Sequence, residues 1–186
     1  MKKIFILSLI ITSNLCSSQF SKLQIITKNN DTIKGVALKD QDLIGNPTKN
    51  YYFQKELCYV NIKRETFKLK PSDVKSFSFM YGDEIVNYES KEDKIFAFVM
   101  YSNRLRLLRF QKRAYTSIDI YVVERPDGKT SFLEAMGLSR RISLKVIKRE
   151  MSDCQVTIKK VEDDILKIHG EPGILELVQD YEKNCY

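Results

Sequence analysis

Apolar and polar residues alternate with a period of two along most of the chain. Residues 23–27 alternate in this way, residues 29–31 supply Asn and Asp suited to a tight turn, and residues 32–38 alternate again. Because successive side chains of a strand point to opposite faces, this pattern predicts a β-hairpin. Gly35 inside the returning strand predicts either a bulge or a close approach of another backbone, since glycine interrupts regular strand packing.

The same alternation predicts nine more short strands, at 51–53, 58–62, 66–69, 74–80, 84–88, 95–101, 104–110, 118–124 and 130–133. Several are joined by short turns such as Arg125-Pro126-Asp127-Gly128, in which proline and glycine favour turn conformations. Strands with short connections pair antiparallel, because parallel strands need long crossovers. We therefore expect residues 19–137 to form an antiparallel meander or a barrel-like sheet.

The C-terminal part of the chain changes to a helical period. Ser139 is expected to cap a helix that runs to Met151, and Ser152 or Asp153 to cap a second helix that reaches Val161.

Residues 161–168 are expected either to continue that second helix or to form a short separate one. His169-Gly170 predicts a stop, and Glu171-Pro172 opens the last helix. Residues 138–186 thus add two to four helices to the same domain, and the expected fold class is α+β.

Residues 1–18 have the composition of a secretory signal peptide. Two lysines precede the apolar run 4–11, and Cys16-Ser17-Ser18 supplies small residues before a cleavage that would leave Gln19 as the N-terminus. A membrane anchor needs ~20 apolar residues, so no transmembrane segment is expected after cleavage. We predict an exported protein that is periplasmic, attached to the cell surface or secreted.

Export changes the charge and the cysteine inventory. Removal of Lys2 and Lys3 lowers the formal net charge from +7 to +5, and removal of Cys16 leaves three cysteines. Cys58 lies in an apolar strand and is expected to be a small core residue. The exported compartment permits disulfides. We predict a Cys154–Cys185 bridge because both cysteines lie in the helical part.

Two basic stretches are candidates for contact with an anionic envelope component. They comprise Arg104, Arg106 and Arg109 on a predicted strand, and Arg140, Arg141, Lys145 and Lys148 on a predicted helix. The alternative is that they form ordinary solvated faces opposite a core, which the modest net charge favours. Nucleic acid is disfavoured as a partner by export.

Familiar catalytic and metal sites find little support in the sequence. His169 is the single histidine, which excludes any site built from two imidazoles. The acidic loop that begins at Asp40 has Tyr51 where a calcium loop needs a twelfth-position carboxylate, and no phosphate-binding glycine loop occurs. We predict no cofactor, no metal and no catalytic residue, and the balance leans away from an enzyme.

The order of short motifs resembles that of a group of uncharacterised exported proteins of Bacteroidetes-type bacteria. These motifs are a leader ending in Ser-Ser-Gln, a DTIxG hairpin (residues 31–35), a segment like 70–77, and a helical tail with Asp153-Cys154 and a closing Tyr181-x-x-x-Cys185. Gln155 and Val156 follow the cysteine here, where the group often has Pro and Leu. The resemblance implies an envelope or secreted location and no particular activity. Asp31-Thr32-Ile33 also resembles the O-glycosylation site of such bacteria, which predicts modification at Thr32.

The sequence therefore favours an exported cell-envelope protein that acts as a non-enzymatic binding or structural module. One alternative is a hydrolase of envelope or extracellular polymers, whose carboxylates meet only in the folded protein. The other is a carrier that holds a small apolar ligand inside the strand-rich part.

Overall fold

The strands form one open antiparallel sheet. The computed structural model describes residues 23–39, 52–112, 118–136 and 141–186. The sheet order is β11-β10-β9-β8-β7-β6-β5-β1-β2-β3-β4, so β5 to β11 form a meander and the β1–β2 hairpin attaches beside β5. The strands are β1 (Leu23–Thr27), β2 (Thr32–Leu38), β3 (Leu57–Val60), β4 (Thr66–Leu69), β5 (Val74–Tyr81), β6 (Glu84–Lys91), β7 (Ile95–Ser102), β8 (Arg106–Lys112), β9 (Ile118–Glu124), β10 (Thr130–Met136) and β11 (Arg141–Ile142).

Three helices at the C-terminus complete the α+β fold, which confirms the predicted class. They are α1 (Leu144–Glu150), α2 (Gln155–Glu162) and α3 (Gly170–Cys185). Their apolar residues share one buried cluster with residues of β8, β9 and β10, so the helices pack on a single face of the sheet. In the part of the chain that the structure describes, no helix has the length and apolar character needed to cross a membrane.

One row of directly paired residues crosses seven strands of the sheet. Its members are Ile25, Phe77, Tyr88, Phe98, Arg109, Tyr121 and Leu133. Directly opposite residues of antiparallel strands share a face, so this row defines the inner face, on which the helices pack. Three aromatic residues occupy β5 to β7, Tyr121 and Leu133 occupy β9 and β10, and Arg109 on β8 lies between these two groups.

The aromatic half of the core closes around Phe53. This residue belongs to a 3₁₀ helix (Tyr52–Gln54), is fully buried, and lies with its ring centroid 5.7 Å from those of Phe79 and Tyr88. The predicted strand at 51–53 is therefore wrong for residues 52 and 53, and Tyr51 lies outside the described residues. Aromatic composition suits both states, and burial of the Phe53 ring against the sheet favours the helical turn.

The opening hairpin follows the sequence prediction closely. Asn30 has a φ of +64° in the turn, a conformation that asparagine tolerates. Leu23 pairs with Val36 and Ile25 with Ile33, so β2 contains one extra residue in that interval. Gly35 lies within this interval, so the register shift agrees with the bulge that is one of the two predictions for Gly35.

The first helix begins later than predicted. Residues 141–142 form β11 and pair with β10, which buries Ile142. Ser143 then caps α1, because its Oγ accepts a hydrogen bond from the backbone N–H of Val146 at 3.3 Å. The predicted cap, Ser139, lies outside the described residues.

The segment after α2 is neither a continuation nor a separate helix. The helix ends at Glu162, and Asp164 has a φ of +56°, which a right-handed helix does not accommodate. His169 was expected to stop a helix, but it is the N-cap residue of α3. A Cβ on Gly173 would lie 2.4 Å from the Lys167 carbonyl oxygen, so the start of α3 packs directly on the preceding backbone.

Candidate functional site

A polar cleft of about 380 Å³ separates the β9–β10 turn from the α1–α2 junction. We call it the arginine cleft. Its lining residues are Arg125, Lys129, Thr130 and Ser131 on the turn side, and Arg149, Glu150, Ser152 and Asp153 on the helix side. The turn wall depends on the Arg125-Pro126-Asp127-Gly128 motif, in which Gly128 has a φ of +81°. Both walls therefore come from tightly constrained connections between regular elements.

Arg125 is held in one orientation by three hydrogen bonds. Its Nε donates to the Tyr181 hydroxyl at 2.8 Å, and its Nη2 donates to Ser131 Oγ at 2.7 Å and to the Glu150 carbonyl oxygen. The side chain is only 6% exposed, and the guanidinium lies 5.5 Å from the Tyr181 ring centroid. Its Nη1 makes no hydrogen bond to the described residues. Arg125 lines the cleft, and Nη1 carries the two N–H groups that these three hydrogen bonds leave over.

The two carboxylates of the cleft already accept hydrogen bonds from the protein. Asp153 accepts from the hydroxyls of Tyr181 at 2.7 Å and Tyr186 at 3.1 Å. Burial opposes the charge of Asp153, but these hydroxyls and the nearby Arg125 outweigh it, so the pKa of Asp153 is lowered. Glu150 accepts from Arg149 Nε at 2.7 Å and from a backbone N–H of β10 at 3.2 Å. Both carboxylates therefore act as internal acceptors.

The predicted Cys154–Cys185 disulfide is confirmed, and it lies directly behind the helix wall of the cleft. The two Cα atoms are 5.8 Å apart. Cys154 follows Asp153 in the chain and Cys185 precedes Tyr186, so the bridge holds together the two residues that share the 3.1 Å hydrogen bond. The covalent link thus joins the start of α2 to the end of α3, next to the residues that surround Arg125.

The seven basic residues named as a candidate anionic-partner patch do not form one surface. Arg109 is fully buried, with Glu171 and Asp119 as ion partners, so its assignment to a surface patch is incorrect. Arg106 is neutralised by Glu89 and Glu124 on the opposite, outer face. Lys148 pairs with Glu162, and Arg104 donates its backbone N–H to Glu182. Arg141 and Lys145 are exposed. Arg140 lies outside the described residues.

The buried arginine joins helix and sheet. Arg109 comes from β8, whereas Glu171 comes from the first turn of α3, so this ion pair docks the helix start on the inner face. Beside it, Gln111 donates its side-chain amide to Asp119 at 2.9 Å and its backbone N–H to Gln54 at 3.0 Å. The hydrogen bond to Gln54 anchors the 3₁₀ helix beside this ion pair. A group of this kind specifies packing and does not face solvent.

The other predicted residues lie apart from the arginine cleft. Thr32 is exposed at the start of β2, so a glycan there would meet no steric barrier, and its modification stays a prediction. Cys58 has no disulfide; its thiol donates to Glu56 at 3.3 Å and is part-buried beside a cleft that contains Lys55 and Lys70. His169 is exposed. Among the described residues, no group of His, Cys, Asp and Glu side chains could hold a metal ion.

Comparison with known proteins adds no family. No protein-family model, curated protein or solved structure matches this chain. Functional inference therefore rests on the geometry of the molecule.

The cleft was not predicted from the sequence, because the pattern around its central residue, Arg125, indicates only a turn. Arg125 opens a turn motif, and its partners Tyr181 and Glu150 are 56 and 25 positions away along the chain. The available signal was local: Asp153 and Tyr186 each adjoin a cysteine of the predicted bridge. A disulfide brings its flanking residues together, so these two could have been placed side by side.

Proposed function

We propose that this protein is an exported cell-envelope protein that works as a binding module. The observation that carries this proposal is the arginine cleft, in which a disulfide and a network of hydrogen bonds hold donor groups toward solvent. The signal-peptide-like residues 1–18 and the Cys154–Cys185 bridge support export, because disulfides persist in oxidising compartments.

The chemistry of the cleft favours binding over catalysis. A general base must be free to accept a proton, yet both cleft carboxylates are engaged by protein donors, and the pKa of Asp153 is lowered. What the cleft presents is a set of cations and hydroxyls. Such a set recognises a negatively charged group and does not require a reaction.

The two alternative functions have less support. Glu89 and Glu124 share Arg106 and Lys91 as ion partners on the outer face, and despite burial these cations lower the pKa of Glu89. A carboxylic general acid needs a raised pKa, so this pair is a poor hydrolase centre. For an apolar carrier, the space over the inner face of β5 and β6 is occupied by the ring of Phe53, and the cavity of about 260 Å³ on their other face has polar lining residues such as Ser76, Asn87 and Glu89.

Export is tested by expressing the full chain in a bacterium and separating cytoplasm, periplasm, membranes and medium. The expected product outside the cytoplasm begins at Gln19 and contains one disulfide, as read by intact mass with and without reductant. A matched variant, Leu9→Arg, breaks the apolar run and should keep the protein in the cytoplasm with an uncleaved N-terminus. A wild-type chain that stays cytoplasmic and begins at Met1 would contradict the proposal.

A further inference from the structure

The arginine cleft combines one immobilised arginine with donors from two opposed walls. Arg125 is 6% exposed and leaves Nη1 available, while Lys129 and Thr130 come from the same wall. Arg149 and Ser152 come from the other wall. The Nε of Arg149 bonds to Glu150, and its two terminal nitrogens make no hydrogen bond to the described residues. Donors therefore approach one space from more than one direction.

We propose that this cleft binds a phosphate group. The cleft has three cations against two carboxylates, and both carboxylates already accept hydrogen bonds from the protein. Lys129 pairs with Asp127 at 3.2 Å and the Nε of Arg149 with Glu150, so the donors that remain are Nη1 of Arg125, the terminal nitrogens of Arg149 and hydroxyls. These match the several acceptor oxygens of a tetrahedral oxyanion. This inference rests on the proposed binding function and names the chemistry that it recognises.

The second basic cleft of the molecule is a weaker candidate. It is lined by Lys55, Lys70 and Lys94, which are exposed and lack a buried, anchored donor among them. Lys94 pairs with Glu92 at 3.0 Å, just as Lys129 of the arginine cleft pairs with Asp127 at 3.2 Å, so the difference between the two clefts is the buried Arg125. Flexible lysines must lose conformational freedom to bind an anion, whereas Arg125 is already ordered. The lysine cleft therefore provides a control for nonspecific charge.

Binding is tested by titrating inorganic phosphate into the disulfide-bonded mature protein while recording amide and arginine side-chain NMR shifts at constant ionic strength set with chloride. Saturable shifts are expected for residues 125–131 and 149–153, with a Kd on the order of 1 mM for so small a ligand. Arg149→Gln and Lys129→Gln should each weaken binding by about threefold to tenfold, because each removes one charged donor. Lys145→Gln on α1 and Lys70→Gln in the lysine cleft should change affinity less than about twofold, as exposed charges outside the site do.

Arg125→Lys tests the central group. It keeps the charge but loses the fork that contacts Tyr181 and Ser131, and phosphate shifts near residue 125 should disappear. Because Arg125 also supports the fold, circular dichroism and thermal unfolding accompany this variant. The Arg149→Gln and Lys129→Gln variants keep the inference falsifiable if Arg125→Lys unfolds. Equal losses in the two control variants, or shifts that chloride alone reproduces, would overturn it.

The phosphate can come from a soluble compound or from a lipid headgroup. Sedimentation with phosphatidic acid vesicles, compared with phosphatidylcholine vesicles, separates these sources. Binding to phosphatidic acid that Arg149→Gln weakens supports a lipid headgroup, and binding of inorganic phosphate alone supports a soluble ligand. Absence of both would overturn the phosphate assignment, whereas an exported, correctly cleaved protein would still support the proposed function.

Discussion

Reduction of the Cys154–Cys185 disulfide should destabilise the protein more than any single surface change. The bridge joins residues separated by 31 positions. In the chain-entropy model, a loop of this size contributes about 3–4 kcal/mol to the free energy of unfolding, because it restricts the unfolded chain. For a protein of this length, each kcal/mol shifts Tm by about 2–4 °C, so reduction should lower Tm by about 6–16 °C.

The measurement compares thermal unfolding of the mature protein with and without reductant. Reduction breaks the S–S bond and leaves the other side chains unchanged. Cys58→Ala is the matched control, because Cys58 has no disulfide and this variant should show the same drop on reduction. Cys154→Ala/Cys185→Ala should unfold at or below the Tm of the reduced wild-type protein and should not respond to reductant.

Two results would refute this reasoning. One is a reductant-induced change below about 1 kcal/mol, which would mean that the unfolded state is not restricted as the model requires. The other is alkylation of Cys154 and Cys185 in the folded protein without reductant. A drop in the wild-type protein that Cys58→Ala abolishes would point instead to bridges between molecules.

Three further predictions follow from single contacts. Gly173→Ala should cost at least about 2 kcal/mol in urea unfolding, because its Cβ would meet the preceding backbone at 2.4 Å, whereas exposed Glu176→Ala should change stability by less than about 0.5 kcal/mol. Asp119→Asn should cost about 1–3 kcal/mol, since it removes the charge of one ion partner of fully buried Arg109 while Glu171 remains; an unchanged midpoint would disprove the importance of that pair. The pKa of Asp153 is lowered in the folded protein, so the charged Asp153 stabilises the fold above its ordinary pKa of about 3.9. This contribution to the free energy of unfolding is lost as the pH falls through the folded pKa. Asp153→Asn should therefore make the free energy of unfolding less dependent on pH in this acid range, and an identical pH profile would contradict the prediction.

Strand locations were predictable because alternation is a local property. All ten predicted strands that correspond to β1–β10 lie where the structure has them to within three residues. Four of them match at both ends, namely Leu23–Thr27, Thr32–Leu38, Thr66–Leu69 and Ile118–Glu124. The start of the last helix was also visible, from Glu171-Pro172. The prediction failed at residues 52–53 and 141–142, where contact with distant strands selects the conformation. Short segments with weak local preference are decided by such contacts.

The candidate site was less accessible from sequence than the fold. The basic residues can be listed from the sequence. Their positions along the chain do not show which acidic residues become their ion partners in the folded sheet. Arg109 and Arg106 are three residues apart, yet one is buried against Glu171 and the other pairs with Glu89 and Glu124 on the opposite face. The side-chain period of two sends them to different faces.

By itself the sequence determined the α+β class, the hairpin turns, the leader-like start and the pairing of Cys154 with Cys185, because each depends on neighbouring residues or on a small inventory. Only the tertiary structure decided which charges reach solvent and that Arg125 stands in a cleft with Nη1 available. That outcome depends on hydrogen bonds between residues 56 and 25 positions apart. Long-range contacts of this kind form only when the sheet and the helices are already packed.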